Sequence, residues 1–101
     1  MEHRKITLDA YVLDGLMADL VGHDRRPSAF ILYLALLRLT LESRRVAMSL
    51  QGLACATGLS KTAVQRAVGH LVRRQLVITH RLAPTDVPQY EVMPPRPVRR
   101  A

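Results

Sequence analysis

The sequence predicts a single, mainly helical α+β domain with a small β-hairpin near its C-terminal end. Three observations predict it. Residues 49–74 read as two short helices joined by a tight turn. Upstream, residues 9–21 and 28–42 carry apolar side chains at helical spacing. Downstream, residues 75–82 are rich in β-branched side chains, a segment with two prolines follows, and residues 89–93 return as a second extended run. A chain of 101 residues has room for one modest core. A hydrophobic fraction of 49% against 23% charged residues marks a folded chain rather than a disordered one. Aromatic residues are only 4%, so the core is expected to be Leu, Val, Ile and Ala.

Residues 1–8 read as a short extended arm anchored by Ile6 and Leu8. In the first helix, residues 9–21, Leu13, Leu16, Met17 and Leu20 share one face, while Asp14, Gly15 and Asp19 fall away from it. Gly15 in its interior costs about 1 kcal/mol, so this helix needs tertiary support. Gly22 is placed to end it.

A polar connector, residues 22–27, leads to Pro27 and Ser28, which signal the next helix start. That helix is expected to reach about Glu42. Phe30, Tyr33, Leu34, Leu37 and Leu41 lie on one side of it, and Leu32, Ala35, Leu36 and Leu39 on the other. A helix apolar nearly all round is buried on both sides. In a chain this small, the second side is expected to meet a second copy, which makes Leu32, Leu36 and Leu39 the expected interface of a homodimer.

Residues 45–48 are short and extended, a third strand beside the hairpin. Ser49 can cap the first helix of the central stretch and Ser60 the second, since a serine oxygen accepts from an N–H left unpaired in the first turn. Gly58 falls where the chain must reverse, and glycine tolerates a left-handed backbone there. Ala54 is small where the two helices cross, and Leu53, Leu59, Val64, Val68 and Leu71 supply the apolar wedge between them.

Ala54, Gly58 four residues on and Val64 six after that, flanked by Leu53, Leu59 and Ala67, resemble the helix-turn-helix of bacterial DNA-binding regulators. With the strand–loop–strand added, residues 28–93 resemble a winged helix-turn-helix domain, similar to MarR-type and GntR-type regulators and to the DNA-binding modules of plasmid and phage replication proteins. The length implies one domain over residues 1–93, with an N-terminal arm and helix (1–27) before the core (28–93) that resembles a winged helix-turn-helix. The resemblance implies that the helix of residues 60–74 enters the major groove of double-stranded DNA while the wing touches flanking backbone. The wing tip departs from the pattern in carrying Asp86 and no arginine, with His80 and Arg81 lower on the strand.

On the second helix of the motif, Val64, Ala67, Val68 and Leu71 point inward by the 100° step of the helix, while Thr62, Gln65, Arg66, Gly69 and Arg73 point outward. Thr62, Gln65 and Arg66 are the expected base readers. The forked amide of Gln65 suits adenine and the forked guanidinium of Arg66 suits guanine. Ser60, Lys61 and Arg73, with Arg44, Arg45 and Arg81, are the expected contacts to backbone phosphates. Gly69 leaves nothing to hold the helix backbone off the DNA.

The charge supports a polyanionic partner. The net charge is +7, and it is uneven: residues 1–43 hold five basic and six acidic side chains, residues 44–101 ten basic and two acidic. The excess therefore falls on the part that carries the motif. Residues 94–101 form a basic, proline-rich tail able to reach phosphates.

The remaining signals narrow the function by exclusion. Cys55 is the only cysteine, so no internal disulfide forms; a cytoplasmic protein is expected, with Cys55 a small buried hydrophobe. Met1 to Lys5 are not followed by the apolar core of a signal peptide, and the apolar run 29–37 is too short to span a bilayer. His3, His23, His70 and His80 lack metal-site spacing, and no phosphate-binding glycine loop or nucleophile motif appears. The expectation is a non-enzymatic DNA-binding regulator without a cofactor or metal. The sequence names no effector. A replication or plasmid-maintenance module, or a winged helix used for protein–protein contact, remains the alternative.

Overall fold

A computed structural model of the chain describes residues 4–94; the expected tail beyond residue 94 and the first three residues lie outside these. The described residues form a mixed α+β fold. Two π-helical stretches, Val12–Leu16 and Ala18–His23, come first. Then follow α1 (Pro27–Leu39), β1 (Val46–Ala47), α2 (Leu50–Thr57), α3 (Lys61–Arg73), β2 (Val77–His80) and β3 (Gln89–Val92). The strands make one antiparallel sheet in the order β1-β3-β2, so β2 is an edge strand.

Both expected caps of the central stretch are present. Ser49 Oγ accepts from Gly52 N at 3.0 Å and Ser60 Oγ from Ala63 N at 3.0 Å. Gly58 ends α2 with φ 79°, its amide donating to Ala54 O at 2.9 Å. Thr57 Oγ1 donates to Leu53 O at 2.8 Å and accepts from Leu59 N at 3.2 Å, which fastens the turn to the helix it leaves.

Both long upstream segments differ from expectation, and each difference has a cause. The first helix carries its hydrogen bonds across five residues rather than four; Met17 N, for example, donates to Val12 O. A turn that wide brings residues four apart nearly into line. Two rows result. Val12, Leu16 and Leu20 are buried, whereas Leu13 and Met17, expected to be buried, stand exposed with Val21. The ring of Tyr11 lies against Gly15, where a Cβ would collide with it, so this glycine makes room for an aromatic side chain.

In α1 the helix stops at Leu39 rather than Glu42. Thr40 Oγ1 donates to Leu36 O at 2.7 Å and its amide donates to the same carbonyl at 2.9 Å, which closes the last turn. The second correction concerns the dimer surface. Leu32 and Leu36 are completely buried within the chain, and Leu39 packs against the same core half-covered. The reason is that α1 lies at the centre, packed on α3, α2, β3 and the second π-helical stretch. One chain thus covers both faces of this helix, and Leu32 and Leu36 offer no surface to a second copy. Tyr33, also fully buried, donates its hydroxyl to Met93 O at 2.9 Å and so ties α1 to the end of the sheet.

Two helix ends use left-handed residues that are not glycine. After α3, Gln75 has φ 60°; its amide donates to Val72 O at 3.0 Å and that of Leu76 to Leu71 O at 2.9 Å, a Schellman closure. After the second π-helical stretch, Arg25 has φ 56° and Arg26 N donates to Leu20 O at 2.7 Å.

A candidate nucleic-acid interface

α3 presents its polar face because its other face is anchored. Val64 and Leu71 are completely buried and Ala67 nearly so, while Lys61, Thr62, Gln65, Arg66 and Arg73 are exposed, as is the Ser60 cap. The expected division of this helix into two faces holds.

Two clefts flank the exposed stripe. The first, of about 370 Å³, is bordered by Thr62, Gln65, Arg66, Gly69 and Arg73, and by Arg26 from the connector before α1. It contains no carboxylate. The second, of about 710 Å³, runs between α3 and the hairpin; Lys61 and Gln65 face Arg81, Asp86 and Pro88 across it. Gln65 borders both. Arg81 leans on the hairpin loop, its Nη1 donating to Pro84 O at 3.2 Å.

The structure places Arg44 and Arg45 elsewhere. They converge on Glu91 of β3, with Arg44 Nε 3.1 Å from Oε2 and Arg45 Nε 3.7 Å from Oε1. His80 Nε2 joins them at 3.1 Å from Oε1. The hydrogen bond from Arg44, then that from His80, holds the Glu91 carboxyl below its ordinary value. Two guanidiniums thus share one carboxylate, both stay largely open to solvent, and neither borders the clefts beside α3. Cys55 is exposed on α2 rather than buried, with Gln51 Nε2 3.7 Å from its sulfur.

Two groups went unmarked in the sequence. Arg26 is one. The other is the Asp24 carboxylate, whose side chain is only 8% exposed. It meets His70 Nε2 at 2.8 Å and His23 Nδ1 at 2.9 Å, and lies 3.1 Å from Arg74 Nε as an ion pair without hydrogen-bond alignment. Burial works to raise its pKa. The hydrogen bonds of His23 and His70 and the Arg74 charge outweigh that and hold it below the ordinary value. The only hint in the sequence is a charged run, Asp24-Arg25-Arg26, directly ahead of a helix-starting proline. Nothing local pairs it with His70, 46 residues on.

Among the described residues, no group of three His, Cys, Asp or Glu side chains is placed to hold a metal ion, and no helix is long and apolar enough to cross a membrane. Searches against protein-family models, curated proteins and solved structures found no match.

Proposed function

We propose that this chain is a winged helix-turn-helix protein that binds double-stranded DNA sequence-specifically and acts in transcriptional regulation, with α3 in the major groove. One observation carries the reading. The exposed stripe of α3 is held outward by a buried opposite face and is flanked on both sides by cations from other elements, Arg26 on one side and Arg81 on the other. A helix with side chains is about the width of the major groove. Gln65 and Arg66 are the base readers, since amide and guanidinium forks match adenine and guanine edges. Lys61, at the start of α3, and Arg73 hold phosphates. β2, β3 and the loop between them serve as the wing, with Arg81 as its cation.

Binding of duplex DNA selected from a random pool, measured at several salt concentrations, tests the reading. Affinity is expected to fall steeply with salt. Gln65→Ala and Arg66→Ala are each expected to cost about 1–3 kcal/mol on the selected site and to relax preference at one base pair. Both positions are exposed, so melting temperature should hold. Salt-independent binding, or an unchanged sequence preference in both variants, would overturn the assignment of α3. Sedimentation of the same complexes counts the copies per site; a second copy must engage a surface other than Leu32 and Leu36.

A further inference from the structure

Arg26 is separated from Arg73 by α1, β1, α2 and nearly all of α3, yet both border one cleft. The connector that carries Arg26 is held at several points. Asp24 N donates to Asp19 O at 2.8 Å, and the buried Asp24 carboxylate fastens to His70 and Arg74 of the α3 end. Left-handed Arg25 then turns the chain so that Arg26 N reaches Leu20 O, and Pro27 starts α1 immediately after. A solvated loop arginine needs none of these ties. Their combined effect is to fix the backbone of Arg26 beside α3. Gly69 keeps the space between open: a Cβ there would meet only Arg73 Nη1, at 3.5 Å.

Resting on the DNA reading above, we propose that Arg26 and Arg73 together grip one phosphodiester of the strand bordering the C-terminal half of α3. Lys61 and Arg81 approach the other strand from the far cleft. Asp24 is the positioning residue that holds Arg26 in place. Guanidinium forks suit a phosphate because each offers two parallel N–H donors, and with no carboxylate in the cleft nothing competes for them.

The test is duplex binding by fluorescence anisotropy over a range of salt, with specific and unrelated sequences compared. Arg26→Ala is expected to weaken both by on the order of tenfold, the size of one lost charge-assisted bond, and, with Arg73 still on the phosphate, to leave the salt slope nearly unchanged; only loss of both arginines lowers it by about 0.9. Arg26→Lys keeps the charge and so the slope, but loses the fork and part of the affinity. Arg26→Ala with Arg73→Ala should lose less than the product of the single losses, because both serve one phosphate. Asp24→Asn should weaken the wild-type protein but add nothing once Arg26 is alanine.

If Arg26→Ala binds like wild type while Arg66→Ala loses sequence preference, the Arg26 contact is refuted and the DNA reading stands. If the wild-type chain binds no duplex, the reading itself fails. Equal weakening by Asp24→Asn in both backgrounds would show that Asp24 acts on the fold and not through Arg26.

Discussion

The α2–α3 pair and the π-helical segment before α1 are built by different rules. In α2 and α3 every boundary is set by a residue within one turn of it: Ser49, Gly58 and Ser60 each make the contact that their chemistry favours. The π-helical segment is closed locally too, at Asp9 and Arg25, but it also depends on partners far away in sequence. Its end is fastened by Asp24 to His70 and Arg74, and its second stretch packs on α1. Local chemistry specifies the first region, and tertiary packing selects the phase of the second.

The largest expected effect tests that phase. Leu20 is fully buried and Leu13 is 48% exposed, although an ordinary helical period places them on one face. Leu20→Ala is expected to destabilise by about 2–5 kcal/mol, and Leu13→Ala by no more than about 0.5 kcal/mol. Urea unfolding of the two variants decides between the rows. Comparable losses would mean that the first helix has the four-residue hydrogen bonding that its sequence suggests.

A smaller effect is expected at the tie between the regions. Asp24→Asn should cost about 1–3 kcal/mol at neutral pH, because it removes the charge that His70 and Arg74 surround. The folded carboxyl is held below its ordinary value of 3.8. Its contribution is therefore complete above that value and is lost as pH falls through it toward the folded pKa. Stability measured from pH 6 down to 2 should fall less steeply in the variant, with Glu91 supplying slope of the same sign. Parallel curves would mean that Asp24 contributes nothing linked to its charge.

The smallest effect sharpens the comparison at the helix ends. Gln75→Gly should stabilise by at most about 1 kcal/mol, since it relieves the left-handed penalty but frees the unfolded chain. Arg25→Gly should do the same after the π-helical segment. Thermal melts suffice to measure both. Destabilisation by either would show that its side chain contributes more than its backbone strain costs.

This contrast also accounts for what could be read from the sequence. The outward stripe of α3 was legible because Val64, Ala67 and Leu71 recur at helical spacing and fix what faces away. The caps, the turn at Gly58 and the hairpin were legible for the same local reason. The burial of Leu32 and Leu36 was not, because it depends on how many elements pack around α1, and no single residue announces that. Arg26 was missed because the bond that delivers it runs from Asp24 to the far end of α3. The pairing of Arg44 and Arg45 with Glu91 was not legible either, because it is made across the sheet, from the residues before β1 to β3.

The outer edge of β2 has a consequence for self-association. Met93 N bonds to Leu76 O, so the alternation of an antiparallel ladder makes Ile78 and His80 the bonded partners of β3 and turns the amides and carbonyls of Val77 and Thr79 outward. Such an edge is a template for a strand from another molecule. Here the template is short. Two residues offer about four main-chain bonds, each worth about 1 kcal/mol net, against an association cost of about 4–15 kcal/mol. Main-chain pairing alone does not hold a visitor, so the brevity of β2 protects the sheet from growing into a fibre.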